Sequence, residues 1–124
     1  MKIIIPEMTV EPQYPPFLTS VPYEKNLGEV VLELVELEED TAEAYEKALE
    51  GRTPLGLSQM NWLLDSKRNL ELPDANIDFP GTEATDIGNE KVVPVMIRVS
   101  GVWTGTWRTV GKGSPVRRMI AVKA

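Results

Sequence analysis

Two tryptophans near the end of the chain, followed by a run of bases, are the residues best suited to binding a partner. Trp103 and Trp107 lie four residues apart in "VWTGTWRTV". The bases that follow are Arg108, Lys112, Arg117 and Arg118. In a single strand the two indoles share a face, and in a tight hairpin around Thr104-Gly105 they lie opposite each other, so they are neighbours either way.

Three interpretations of these aromatic and basic residues are open. Both tryptophans could pack in the core against helices. Tryptophan and arginine are also common anchors of protein interfaces. Alternating aromatic and basic residues can instead stack the bases and neutralise the phosphates of single-stranded nucleic acid.

The charges of the chain are divided between its two parts. The net charge is -6, but residues 1–90 hold 19 acids and six bases, whereas residues 91–124 hold seven bases and no acid. The bases could pair with acids of the same domain, which is the interpretation we favour, or form a patch for an anionic partner.

The composition disfavours catalysis. The chain has no cysteine and no histidine, so it lacks a thiol nucleophile and the most common general base and metal ligand. The acidic run "ELEED" is typical of a solvated face. We therefore predict a protein that is not an enzyme and has no cofactor, metal site or catalytic residue.

Two stretches resemble ligand-binding loops only in part. "GTWRTVGKGS" has one residue too many between its glycines for a phosphate-binding loop, and Gly113 occupies the hydroxyl position. "DANIDFPGTEATD" begins like a calcium loop, but Phe79 replaces the turn glycine and Thr85 replaces the bidentate glutamate. Turns between strands, and a loop rich in aspartate and asparagine, explain both stretches better.

Residues 1–27 predict an extended arm. Five prolines exclude a long helix, and apolar residues, among them Tyr14 and Phe17, are too frequent for a disordered tail. An apolar arm must lie against a surface, either that of its own domain or that of a neighbouring subunit. The "KIII" stretch could form a short strand, and no segment is long enough for a signal peptide or a membrane span.

The rest of the chain, residues 28–124, predicts one domain. A strand is expected from about Glu29 to Glu38, in a central position of its sheet. A short helix should follow, with Asp40 as N-cap, and a second helix should run from about Leu57 to Lys67 and end on Lys67 and Arg68.

Residues 69–90 are expected to form a long loop with one short strand at Leu70–Leu72. Three or four strands should follow from Lys91 onward, with Pro94 indicating an edge or a bulge. This order predicts an α+β fold with a mostly antiparallel sheet.

These features favour a structural or interaction protein that assembles with itself or with other proteins. Opposite charge on two surfaces favours head-to-tail association, as in a large assembly such as a virus particle. We predict an intracellular or virion location and no membrane partner. The predicted partner-binding residues are Tyr14, Phe17, Trp103, Trp107, Arg108, Lys112, Arg117 and Arg118.

Two alternative functions remain open. One is a single-stranded nucleic-acid-binding module built on the basic C-terminal strands. The other is an acidic inhibitor that mimics nucleic acid through residues 29–50, which would require a negative stripe that the basic strands leave unpaired.

Overall fold

A computed structural model describes residues 2–8, 11–20, 26–66 and 71–124. Within this part the fold is mixed α/β, with two helices and one sheet of eight strands. In chain order its elements are β1 (Ile4–Ile5), β2 (Leu18–Ser20), β3 (Val30–Leu37), α1 (Ala42–Leu49), α2 (Leu57–Asp65), β4 (Asn76–Asp78), β5 (Ala84–Asp86), β6 (Lys91–Val99), β7 (Val102–Thr109) and β8 (Arg118–Lys123). All strand pairs are antiparallel except β4–β8, in the described part of the chain. The predicted order of one strand, two helices and then C-terminal strands is incomplete, because four short strands lie in the segments expected to be arm and loop.

The N-terminal arm lies against the sheet of its own chain. Its first strand, β1 (Ile4–Ile5), pairs with β3, and its second, β2 (Leu18–Ser20), pairs with β5. Ile5 is fully buried, and Met8 and Tyr14 pack against the main core. The alternative that the arm lies on a neighbouring subunit is therefore not needed to explain its apolar residues. Val10, Val21 and Tyr23 lie outside the described residues.

Strand β3 (Val30–Leu37) forms where the β-branched, alternating pattern predicts it. It pairs with β8 (Arg118–Lys123) along six positions and with β1 at its start. Strand β8 continues the sheet through its parallel pairing with β4. Strand β3 therefore has a neighbour on each side, but β1 covers only Val30 and Val31, so the predicted central position holds only at the start of the strand.

The two helices lie on opposite faces of this sheet. Alternate residues of β8 show this, since Ile120 and Val122 pack in one apolar cluster with Tyr45 of α1, whereas Ala121 packs in the other with Met60 of α2. Side chains of successive strand residues point to opposite faces, so each cluster fills one side.

Helix α1 (Ala42–Leu49) begins one residue later than the predicted cap implies. Thr41 is the N-cap, and its hydroxyl accepts a hydrogen bond from the Ala44 amide at 3.1 Å. The prediction that Asp40 caps this helix is wrong, because the Asp40 side chain is directed into the protein instead.

Helix α2 (Leu57–Asp65) begins at the predicted place. The side-chain oxygen of Gln59 accepts a hydrogen bond from the Gly56 amide at 2.8 Å, which satisfies one free donor at the start of the helix. The expected end at Lys67, with Arg68, lies outside the described residues.

The predicted long loop contains two strands, β4 (Asn76–Asp78) and β5 (Ala84–Asp86). Among the described residues of the expected strand at Leu70–Leu72, 71 and 72 are not in a strand, and Leu70 is not described. The turn between β4 and β5 lies close to other backbone, since a Cβ on Gly81 would come within 2.6 Å of the Leu55 carbonyl carbon. Close backbone approach therefore requires glycine here.

The C-terminal hairpin consists of β6 (Lys91–Val99) and β7 (Val102–Thr109), which pair along their whole length. Ser100 and Gly101 both have positive φ, which is the requirement of a two-residue type I′ turn. "VWTGTWRT" is thus one strand rather than a second hairpin, and Trp103 and Trp107 share a face.

Pro94 does not mark an edge, because β6 pairs with β7 on one side and with β4 and β5 on the other. Its carbonyl accepts a hydrogen bond from the amide of Phe79, which follows β4, at 2.9 Å. The nitrogen and the carbonyl of one strand residue point to the same side, so the Pro94 nitrogen also faces the gap between β4 and β5. Its missing N–H therefore breaks no ladder bond.

Candidate functional site

Four charged side chains on the α1 face of the sheet form what we call the buried charge cluster. Its members are Asp40, Asp78, Arg108 and Arg118. Asp40 precedes α1, and the other three lie on β4, β7 and β8. Their side chains are 0–11 % exposed, so the cluster is a rare case of four charges taken almost wholly out of water.

Arg108 joins the two carboxylates. Its Nη2 lies 2.9 Å from Asp40 Oδ1 and 2.6 Å from Asp78 Oδ2, and its Nε donates to both oxygens of Asp78 at 3.1 Å. Nη2 also donates to the Tyr45 hydroxyl at 3.0 Å. The planar guanidinium group can hold two carboxylates at once because its donors form a rigid fork.

Arg118 approaches Asp78 from the neighbouring strand. Its Nη1 lies 3.2 Å from Asp78 Oδ1, and its Nη2 donates to the Ser114 hydroxyl at 3.1 Å. Arg118 Nε is buried and has no hydrogen-bond partner in the described part of the chain. Burial lowers the pKa of Arg118, since Asp78 is shared with Arg108 and compensates only in part.

Asp40 also ties the loop after β7 to the cluster. Its carboxylate accepts hydrogen bonds from the amides of Gly111 at 3.3 Å and Ser114 at 2.9 Å, and its carbonyl accepts one from Gly113 at 3.2 Å. Positive φ at Gly111 and Gly113 lets the loop turn its amides toward Asp40.

The two carboxyl groups have opposite pKa directions. Burial alone would raise the pKa of Asp40, but hydrogen bonds from Arg108 and Ser114 outweigh it and hold the pKa below the usual aspartate value. Burial raises the pKa of Asp78, which is fully enclosed, despite its contacts with Arg108 and Arg118. Burial opposes the charge of Arg108 too, but hydrogen bonds to Asp78 and Asp40 raise its pKa.

The hydrogen bonds within the buried charge cluster leave little room for acid–base chemistry. Each oxygen of Asp40 and of Asp78 accepts at least two hydrogen bonds from this chain. A general base must have a free lone pair within reach of a substrate proton. The cluster instead fastens α1, β4, β7, β8 and the loop after β7 to one another.

The predicted site residues divide into three groups. Arg108 and Arg118 lie in the buried charge cluster, where their guanidinium groups face carboxylates of the same chain. Lys112 and Arg117 are exposed and form ion pairs with Glu90, at 3.6 Å, and Glu36. With Lys91 beside Glu83 at 3.6 Å, five of the seven C-terminal bases pair internally, which confirms the interpretation favoured from the charge pattern.

The aromatic members of the predicted site have different surroundings. Trp103 and Trp107 are half-buried and pack against the main core on the α2 face, and the Arg98 guanidinium carbon lies 4.7 Å from the Trp103 ring centroid. Tyr14 is half-buried in the same core, whereas Phe17 is 40 % exposed. The structure does not bring the arm aromatics and the tryptophans together with the bases into one site.

A second candidate surface is the outer edge of β7. No described strand pairs with it, since β7 pairs with β6 alone in that part of the chain. In a hairpin closed by a two-residue turn, the residues next to the turn exchange hydrogen bonds, and every second residue does so after them. Val102, Thr104, Thr106 and Arg108 therefore bond to β6.

The backbone N–H and C=O groups of Trp103, Gly105 and Trp107 consequently point outward, and we call these groups the β7 edge. The Pro94 carbonyl supports this alternation independently. It points away from β7 toward Phe79, so Pro94 does not exchange hydrogen bonds with Trp107, the residue opposite it on β7. Thr109 also points outward, but its carbonyl accepts a hydrogen bond from Arg108 Nη1 at 3.1 Å. The β7 edge is thus a row of unpaired donors and acceptors among the described strands.

Comparison with family models, curated proteins and solved structures finds no match for this chain. Among the described residues, no group of three or more metal-ligating side chains is close enough to hold an ion. Those residues also include no helix with the length and apolar character needed to cross a membrane.

Sequence reasoning missed both aspartates of the cluster. Asp40 fits an N-cap pattern, and Asp78 fits the start of a calcium loop, so each had a local explanation. One signal for Asp78 was present, since Ile77 and Phe79 on either side are apolar and together predict a strand rather than a solvated loop.

Proposed function

We propose that this protein is a non-enzymatic structural or interaction protein that assembles with itself or with other proteins. The β7 edge is the observation that carries the proposal. Natural proteins protect exposed edges with lysine, proline, bulges or very short strands. The eight-residue β7 has no lysine or proline, and its one charge, Arg108, is directed into the buried charge cluster. A partner strand could add to this edge.

Exposed apolar side chains at two ends of the sheet also support an interaction role. Val99 and Val102 at the tip of the β6–β7 hairpin are 51 % and 64 % exposed. Phe17 and Ile87 flank the paired residues Leu18 and Asp86 of β2 and β5, at the opposite end of β6, and Ile87 is 78 % exposed. Such residues are typical of contact surfaces when they occur together.

The alternatives from the sequence receive less support. A nucleic-acid-binding module would need several free bases beside the tryptophans. Arg108 and Arg118 are held by carboxylates and Lys112 and Arg117 by exposed acids, which leaves Arg98 as the base beside Trp103. An acidic inhibitor keeps part of its basis, since Glu43 and Glu46 on α1 and Glu50 at its C-terminal end are exposed, although Lys47 lies among them. A large assembly such as a virus particle remains the context that we propose.

Sedimentation velocity of the full chain over a wide concentration range tests the proposal. We expect a defined oligomer, and we expect Thr104→Lys to weaken it, because a lysine on an open edge opposes strand addition. Gln13→Lys is the matched control, since it adds the same charge at an exposed position of the arm. A monomer at every concentration would contradict self-assembly as the function.

A further inference from the structure

The residues of the β7 edge have a self-complementary sequence. Trp103-Thr104-Gly105-Thr106-Trp107 reads the same in both directions, with Gly105 at its centre. A strand that pairs with its own copy about a two-fold axis is antiparallel to it, so a palindrome places identical residue types in equivalent positions. This symmetry belongs to a strand that has no described partner along the whole of its outer side.

The backbone groups of β7 that point outward are arranged symmetrically about Gly105, the centre of the palindrome. The outward-pointing groups belong to Trp103, Gly105 and Trp107, which are every second residue. If Gly105 lies opposite Gly105 of a second copy, then Trp103 lies opposite the other copy's Trp107, and Trp107 opposite its Trp103. Each of these three pairs exchanges two hydrogen bonds, so every unpaired group of the β7 edge finds a partner. A shift of the centre to Thr104 or Thr106 would leave some of these groups unpaired.

The α2 face also allows the two copies to approach. Helix α2 lies across β6 and β7 and contacts both strands. Gly105 makes room for it, since a Cβ there would come within 2.9 Å of Leu64 Cδ1 and Met60 Cε. If the axis of α2 ran midway between β6 and β7, strands about 4.8 Å apart would place it about 10 Å from its symmetry mate, which is a normal helix-packing distance.

The surface that would surround the axis carries little charge. Asp65 is the only charged residue of α2, and Trp62 and Leu64 are half-buried on that helix. Trp103 and Trp107 lie on the same face of the sheet. Two copies would therefore bring together indole rings, the Arg98 guanidinium group beside each Trp103, and a helix whose one charged residue is Asp65. Aromatic residues and arginine are enriched at protein interfaces.

From these observations we infer that the partner of the β7 edge is a second copy of this chain, joined by antiparallel β7–β7 pairing centred on Gly105. The inference rests on the proposed function and makes it specific. It predicts an isologous dimer in which the two sheets become continuous. The exposed side chains of Thr104 and Thr106 lie on the opposite face from the tryptophans, where Thr104 of one copy is directly opposite Thr106 of the other.

Charge pairs at positions 104 and 106 test the register of this dimer. Like charges directly opposite each other in a sheet destabilise pairing, and opposite charges support it. We expect T104K/T106K and T104E/T106E each to weaken the wild-type dimer at least about tenfold in sedimentation equilibrium. An equimolar mixture of the two variants should form a heterodimer, and T104K/T106E should dimerise like the wild type.

The outcomes separate the dimer from the broader proposal. Both threonines are exposed, so all variants should keep the wild-type circular dichroism spectrum. A wild-type oligomer that T104K/T106K leaves unchanged would overturn the β7–β7 dimer but leave assembly through another surface. Dissociation of T104K/T106E as readily as T104K/T106K would also overturn this register. A wild-type monomer at every concentration would contradict the dimer and self-assembly through any surface, and would leave only assembly with other proteins.

Discussion

The buried charge cluster and the β7 edge share one strand, but their polar groups are satisfied differently. Arg108 donates to two carboxylates and a tyrosine hydroxyl of its own chain. The backbone groups of Trp103, Gly105 and Trp107, on the same strand, face no described strand. The charges of the C-terminal segment are thus held largely within the fold, whereas its uncharged residues form the edge at which we propose that a partner binds.

This difference changes the expected mode of assembly. Opposite charges on separate surfaces would favour head-to-tail association, but most of the C-terminal bases are already paired within the chain. An uncharged, symmetric edge favours a closed two-fold dimer instead.

The largest effect on the free energy of unfolding is expected from a substitution in the buried charge cluster. Asp78→Ala would leave Arg108 and Arg118 facing each other in the interior without their shared carboxylate. Removal of one partner from a buried ionic network costs about 3–5 kcal/mol, so we expect the free energy of unfolding in urea to fall by that amount. Asp74→Ala, at an exposed position of the same segment, is the control and should change it by less than about 0.5 kcal/mol. Equal effects of the two substitutions would contradict the role of Asp78.

Asp40 should make stability depend on acid pH. Its pKa is lower in the folded protein than the value of about 3.9 in an unfolded chain, so its ionised form stabilises the fold above that pH. This contribution is lost as the pH falls through the folded pKa.

Asp40→Asn removes that dependence, together with hydrogen bonds to a charged group worth about 1.5–3 kcal/mol. The difference in unfolding free energy between wild type and Asp40→Asn should be largest above about pH 4 and should shrink at lower pH. A difference that stays constant on acidification would show that the Asp40 charge is not what stabilises the loop after β7.

A smaller loss of stability is expected when the N-cap residue Thr41 is replaced. Thr41→Ala removes the N-cap of α1 and should cost about 1 kcal/mol, measured by thermal unfolding, without a change in pH dependence. Thr41→Ser keeps the capping oxygen and should cost much less. If Thr41→Ala altered the pH dependence as Asp40→Asn does, the two residues would not have the distinct roles described here.

The smallest effect on stability is expected from the exposed ion pair of the C-terminal segment. Arg117 pairs with Glu36, but both side chains are about half exposed, and exposed ion pairs contribute little. Arg117→Ala should leave the thermal midpoint and the oligomeric state unchanged. A loss of dimer in this variant would show that the C-terminal bases, and not the β7 edge, hold the copies together.

Local patterns predicted much of the fold. The β-branched alternation of residues 30–37, the glycine after α1, and the apolar residues of α2 each specify an element within a few neighbours. The cap of α1 was assigned to Asp40, one residue before the true cap, Thr41. The short strand predicted in "KIII" is present as β1. Strands β2, β4 and β5 were missed, because three residues carry no periodic signal and their pairing depends on distant strands.

The site was less predictable for the same reason. Arg108 lies 30 residues from Asp78 and 68 from Asp40 in the sequence, so only the sheet order brings them together. The β7 edge, in contrast, could be recognised once the type I′ turn at Ser100-Gly101 fixed which backbone groups face outward.

The most direct test of this account is the sedimentation behaviour of the wild-type chain at low and high salt. Two copies of net charge -6 repel each other, and salt screens that repulsion. We therefore predict a dimer that is as stable or more stable at high salt. Dissociation of the dimer at high salt would contradict assembly through the β7 edge and favour association through charge.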